Sequence, residues 1–302
     1  MILITKKYFP FICLTIAMIL WSSSFIALKI AFRHYDPMLV IFGRMLVATL
    51  CFLLLCKPIF RNFSYRKGDY KILLFMAFCE PCLYFLFEAK ALENTTASQA
   101  GMITAILPVL VMTAAVFLLR EKIGIKGWAG SFLAVFGVCL LTFTGQPAEN
   151  APNPVLGNFY ELVAMICATG YTIAMRFLAH RYSPLFLTAT QAFLGCIFFF
   201  VMLFPAGAKL PPTQDPAACL AVIYLGAVIT IGAYGFYNYG LKYVAASRAA
   251  SFTNLIPVFT FILGWAVLDE TLTGCQFMAA LLVLFGVWFG QQATYEPNGK
   301  KR

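Results

Sequence analysis

Residues 89–137, AKALENTTASQAGMITAILPVLVMTAAVFLLREKIGIKGWAGSFLAVFG, return later in the chain as residues 238–286, NYGLKYVAASRAASFTNLIPVFTFILGWAVLDETLTGCQFMAALLVLFG. The two stretches are copies of one segment, in register at an offset of 149 (238 − 89). Leu92 matches Leu241, Ser98 matches Ser247, Thr104 matches Thr253 and Pro108 matches Pro257. Glu121 matches Glu270, and Gly137 matches Gly286. The register crosses two apolar helices and the polar link between them without a gap. A period of about half the 302-residue chain marks one duplicated helical unit, not a solenoid array.

Working outward, the composition says what surrounds this unit. Hydrophobic residues make up 62% of the chain and charged residues only 11%, whereas a soluble domain carries roughly 25% charged residues. The solvent is therefore lipid. Most of the 10 cysteines fall inside apolar runs, where Cys behaves as a small hydrophobe, so free thiols are expected. The start, MILITKKYFPFICLTIAMILW, has the basic flank and apolar core of a signal peptide, but no convincing small-residue cleavage site. Its apolar run continues to about residue 31, long enough for an uncleaved first spanning helix.

A bilayer-spanning helix needs about 20 mostly apolar residues. Ten stretches qualify: roughly 9–31, 38–57, 70–91, 96–119, 127–145, 155–177, 185–204, 217–241, 247–268 and 274–292. Turn and charge signals separate them, and the links leave no room for a soluble domain. The expected fold is thus an all-α membrane protein of ten transmembrane helices, with halves at 1–145 and 146–302. Ten crossings put both ends on one side. Seventeen Lys and Arg fall on that side, against four on the other (Lys29, Arg33, Lys90 and Lys209), with Arg44 inside the second span. The positive-inside rule then places both termini in the cytoplasm. The net charge of +10 is accordingly a topology signal and not a nucleic-acid footprint.

Five helices per half is an odd number, so the second copy enters the membrane in the opposite sense. Arg120-Glu121-Lys122 becomes Asp269-Glu270-Thr271 in the copy, losing its basic residues as the rule requires. The halves form an inverted repeat, an architecture of many secondary transporters. The first two helices of each half agree more weakly, with Lys29 matching Arg176 and Pro37 matching Pro184 at an offset of 147 (184 − 37).

Residues 92–141, their copy 241–289, and LWSSSFIALK at 20–29 resemble the drug/metabolite transporter superfamily, and within it the EamA-type branch of ten helices in two repeats. The resemblance covers almost the whole chain and is most specific in the fourth, fifth, ninth and tenth helices. It implies a metabolite carrier, commonly an exporter of amino acids or related compounds, without fixing the substrate. Ser22 stands where the branch usually has Gly after the first-helix Trp, a small-for-small change.

Ionisable groups at membrane depth are costly and usually face a bundle interior or a wet cavity. Glu80, Tyr84 and Glu88 recur at i, i+4 and i+8 of the third helix, on one face. Glu80 lies near mid-membrane, which makes it a candidate proton carrier as well as a pathway residue. Glu88 lies further out, where headgroups could hydrate it. Arg44 and Glu161 lie at similar depth with opposite charge; pairing with each other is the cheapest arrangement for both. The planar fork of Arg44 could instead dock a substrate carboxylate. Thr230, Tyr234 and Asn238 form an uncharged stripe on the eighth helix, for which helix-to-helix bonding is the alternative.

Small residues recur every four positions at Ala97, Gly101 and Ala105 and at Ala246, Ala250 and Asn254, a close-packing pattern from which Asn254 departs towards the cavity. Pro108 and Pro257 each remove a hydrogen bond to the carbonyl four residues back, on Thr104 and Thr253, and are candidate hinges or static kinks. Trp21 is a candidate cavity wall. Glu121 and Glu270, at helix boundaries, suit capping or loop anchoring. Cys79-Glu80-Pro81-Cys82 has redox spacing but no thioredoxin-like context. His34 and His180 fall on opposite sides and cannot share a metal, so neither a metal nor a cofactor is expected. No phosphate-binding G-x-x-x-x-G-K-[ST] loop occurs.

These readings converge on a non-enzymatic secondary transporter exporting a small polar metabolite across the cytoplasmic membrane by alternating access. Its partners are a small-molecule substrate and the lipid bilayer, with a second copy of the chain as a candidate and no nucleic acid. The alternatives are an intramembrane enzyme acting on lipid, a transporter of another metabolite or drug class, and a channel.

Overall fold

The computed structural model describes residues 2–54, 66–119, 124–145, 147–208, 214–244 and 246–292. Glu121 and the junction at Gln146 lie outside the described residues. Ten helical runs lie among those described: α1 (Ile2–Phe32), α2 (Pro37–Leu54), α3 (Tyr70–Asn94), α4 (Ala97–Leu118), α5 (Ile125–Phe143), α6 (Pro154–Leu178), α7 (Pro184–Ala206), α8 (Pro216–Tyr243), α9 (246–268) and α10 (Gly274–Gln292). Nine are long and apolar enough to cross a membrane, and the apolar part of α10 is slightly shorter. Every described cysteine is free.

Local chemistry sets several helix starts. Pro37, Pro154, Pro184 and Pro216 occupy first-turn positions that have no use for an N–H. The residue before each carries a short polar side chain that accepts from a first-turn amide: Asp36 from Met38, Asn153 from Leu156, Ser183 from Phe186 and Asp215 from Ala218.

Helix packing repeats when the halves are exchanged. α1 packs on α8 and α9, and α6 packs on α3 and α4; α2 touches α8, and α7 touches α3. The pairs α2–α7, α4–α9 and α5–α10 map onto themselves. This is the signature of a pseudo-two-fold axis. With five crossings per half, the axis lies in the membrane plane and the halves are inverted. α1 starts and α10 ends at one face, called here the terminal face; the opposite one is the far face. The α5–α10 seam is close because its crossing points are glycines: a Cβ on Gly130 would stand 2.3 Å from the Gly290 amide nitrogen. Large apolar residues such as Phe132, Phe136, Trp265 and Phe285 point outward, where lipid is their solvent.

Four helices are irregular at matched places. α3 breaks at Glu80, whose backbone is extended (φ −150°, ψ 117°) ahead of Pro81. α8 widens into π-type turns over Leu225–Ala233. α4 and α9 tighten into 3₁₀ turns at Thr104–Ile106 and Ser251–Asn254, just ahead of Pro108 and Pro257. In these turns the Thr104 hydroxyl donates to the Gly101 carbonyl and that of Thr253 to the Ala250 carbonyl, both at 2.6 Å. Backbone that departs from α geometry at membrane depth survives only where protein or a cavity satisfies it, so these breaks locate the functional centre.

Candidate functional site

The breaks surround a cavity of about 40 Å³ on the pseudo-two-fold axis. Its wall takes Trp21, Ser24 and Phe25 from α1, Arg44 from α2, Glu80, Tyr84 and Glu88 from α3, and Thr104 and Leu107 from α4. The second half adds Met165, Ala168, Tyr171 and Thr172 from α6, Tyr234 and Tyr237 from α8, and Thr253 and Ile256 from α9. Most wall positions are repeat equivalents carrying different side chains. At the 147 offset, Trp21 corresponds to Ala168, Ser24 to Tyr171, and Phe25 to Thr172. The backbone is pseudo-symmetric there, and the chemistry is not.

Each charged wall residue has a defined setting. Glu80 and Glu88 are 3% and 4% exposed, so Glu88 is not hydrated at a membrane surface. The Tyr234 hydroxyl donates to Glu80 Oε1 at 2.5 Å, and the Tyr84 hydroxyl to Glu88 Oε1 at 3.0 Å. Arg44 donates from Nε to Thr230 Oγ1 at 3.0 Å. Its guanidinium carbon lies 4.0 Å from the Phe85 ring centroid, a cation–π placement. The expected Arg44–Glu161 pair does not form. The carboxylate beside Arg44 is that of Glu88, 4.0 Å from Nη1, because the faces of α2 and α3 turn these groups together. At that separation the terminal guanidinium nitrogens keep donors for a ligand.

Glu161 is fully buried on α6, yet neither carboxyl oxygen has a hydrogen-bond partner among the described residues. It stands outside the wall, one turn from Met165. The Trp21 Nε1 donor, inside the wall, is also without a partner. Trp21 is held edge-on to Tyr234, with ring centroids 5.1 Å apart.

Of the remaining candidates, Asn238 ties helices together: it accepts from the Tyr171 hydroxyl and donates to Thr188 Oγ1 at 2.8 Å. Asn254 is outside the wall. Pro108 and Pro257 follow the tight turns that supply Thr104 and Thr253 to the wall. Gln191, not among the candidates read from sequence, donates from Nε2 to the Glu80 carbonyl at 2.9 Å, satisfying the acceptor that the break exposes. The signal for it was Pro81, which marks the break, and the match of Gln191 to Arg44 at 147. Glu270 caps the opposite half: its oxygens accept from the Ala97 and Ser98 amides at the start of α4, each at 2.8 Å. A larger polar vestibule of about 330 Å³ opens at the far face beside Lys29, Arg33, Glu93 and Glu149.

The EamA-like transporter family model matches the chain twice, over residues 9–143 and 155–289. The uncharacterized transporter YetK of Bacillus subtilis is 27% identical, covering 98% of this chain and 91% of its own. An Escherichia coli protein named "Probable amino-acid metabolite efflux pump" is 25% identical over 90% of this chain and 91% of its own. A crystal structure of a protein 18% identical in sequence superposes with a TM-score of 0.66, over 94% of this chain and 98% of the other.

Proposed function

The chain belongs to the EamA-like transporter family, and we propose that it is a secondary carrier exporting a small zwitterionic metabolite of the amino-acid type across the cytoplasmic membrane. The observation that carries this reading is the pairing of free guanidinium donors with carboxyls in one enclosed wall at the junction of the halves. The fork of Arg44 matches a substrate carboxylate. Glu80 and Glu88 offer acceptors for an ammonium group, and Trp21 Nε1 offers one further donor. The core holds three buried carboxyls, of Glu80, Glu88 and Glu161, against the one buried guanidinium of Arg44, and a substrate ammonium supplies compensating positive charge. The name of the Escherichia coli relative supports the same substrate class.

The cavity is too small for such a metabolite, so loading requires the halves to part, first towards one face and then the other. By the positive-inside count the terminal face is cytoplasmic and the far-face vestibule extracellular. Alternating access then delivers substrate from the first to the second, with residues 1–145 and 146–302 as the moving halves.

The test is counterflow in proteoliposomes. Vesicles loaded with each of the twenty unlabelled amino acids are challenged with the labelled compound. Saturable accumulation of at least one is expected. Arg44→Lys, which keeps the charge and loses the fork, raises its KM at least tenfold, equivalent to about 1.4 kcal/mol. Absence of counterflow for every amino acid, or an unchanged KM in Arg44→Lys, contradicts the reading.

A further inference from the structure

Glu161 stands apart from every other acid in the core. Glu80 has the Tyr234 hydroxyl, and Glu88 has the Tyr84 hydroxyl and the neighbouring guanidinium of Arg44. Glu161 has 0% exposure and two unpartnered oxygens. It follows the face of α6 that lines the cavity, since Met165 is four residues on and Ala168 seven. It sits on the far-face side of the cavity, because α6 starts at that face: the Asn153 amide there donates to the Asn94 carbonyl at the end of α3.

The charged surroundings offer Glu161 no compensation. From α3, the Glu88 carboxyl is its acidic neighbour, the Tyr84 phenol is committed to Glu88, and Lys90 is exposed, its Nζ 5.7 Å from the Tyr160 ring centroid. Arg44 of α2 stands beside Glu88 instead. α4 carries no titratable side chain between residues 97 and 118. On α5, Lys126 and Cys139 are exposed. On α8, Tyr234 donates to Glu80, and Tyr237 is within reach of Thr172. α9 carries no charged side chain between residues 249 and 268. An ionised Glu161 would thus be a bare charge in apolar surroundings beside a second carboxyl, so the closed form without substrate accepts it only neutral. A purely structural acid would give its proton to a fixed acceptor, and among the described residues none is bonded to it.

We propose that Glu161 is the proton-carrying group of the transport cycle. With no substrate bound, a proton from water in the cavity open to the far face binds one of its carboxyl oxygens before the halves close, and it returns to water when they open to the terminal face. Substrate then enters and its ammonium supplies the compensating charge for the outward closure, so one proton is exchanged for one substrate and no other bond changes. The assignment rests on the carrier reading above. It moves the proton from Glu80, whose carboxyl Tyr234 already fixes, to a group whose ionisation is incompatible with closure of the empty carrier.

Two measurements on the full-length protein test it. In infrared spectra at neutral pH, the wild type is expected to show a carboxylic-acid C=O band that Glu161→Gln lacks and Glu161→Asp shifts. A band unchanged in Glu161→Gln overturns the proposal, and this arm needs no substrate. In proteoliposomes, an imposed pH gradient is expected to drive amino-acid accumulation by the wild type. Glu161→Gln is expected to keep counterflow and lose the response to the gradient at least tenfold. A retained response overturns the proposal. So does loss of counterflow together with the response, which would make Glu161 a substrate or folding group. Failure of wild-type counterflow for all amino acids would count against the carrier reading and leave the infrared result to stand on its own.

Discussion

Arg44 and Gln191 occupy the same place in the two copies, 147 residues apart, and each reaches across to the irregular helix of the opposite half. Arg44 bonds the Thr230 hydroxyl on α8, and Gln191 bonds the Glu80 carbonyl on α3. One geometry thereby puts a cation in the cavity wall and, outside the wall at the break of α3, a neutral amide. Tyr234 completes the setting by donating to Glu80. Tyr234→Phe leaves a buried carboxyl oxygen without its donor, a loss of about 1–3 kcal/mol. A lower midpoint of thermal unfolding in detergent, with normal expression, is the expected result. At this scale the sequence was partly legible. The i, i+4, i+8 spacing put Glu80, Tyr84 and Glu88 on one face, and all three line the cavity. The partner of Arg44 was not legible, because depth along a helix says nothing about its rotation, and rotation selected Glu88 over Glu161.

Among the elements, the helix breaks matter most, and they differ in how openly the chain declares them. Pro108 and Pro257 announced theirs, and the tight turns stand directly ahead of them. Pro81 marks the break in α3 as plainly, yet the spacing of Glu80, Tyr84 and Glu88 reads as one continuous helix, and this break was not anticipated. The widened stretch of α8 carries no proline, and its only traces are glycines and the Thr230 hydroxyl, which donates to the Leu225 carbonyl five residues back at 2.9 Å. A side chain that stands in for a backbone donor cannot be anticipated from periodicity. If the tight turn of α9 is a hinge, Pro257→Ala restores an amide for the Thr253 carbonyl and stiffens the helix. The expected outcome is a higher unfolding midpoint with at least a severalfold lower counterflow rate. An unchanged rate would make the kink static. Glu270 shows the same limit from another side: a boundary acid is readable as a cap, but only the fold reveals that it caps the other half's α4.

For the whole molecule, the ten spans, the duplication and the inversion were legible because each follows from a global count: apolar length, register, and crossings against basic residues. The site lay where such counts fail, at the few positions where equivalent residues diverge around the axis. Two inverted halves with matched breaks can exchange conformations, so that the seam open at one face in the first state is open at the other face in the second. Distances between spin labels read this directly. One pair, at Asn94 and Gly274, spans the far face, and a second, at Tyr70 and Tyr243, spans the terminal face, both in an otherwise cysteine-free chain reconstituted in lipid. During substrate counterflow, both pairs are predicted to show two distance populations, the far-face pair lengthening in the state where the terminal-face pair shortens. Single, unchanging distances at both faces while counterflow proceeds would contradict alternating access about the central cavity.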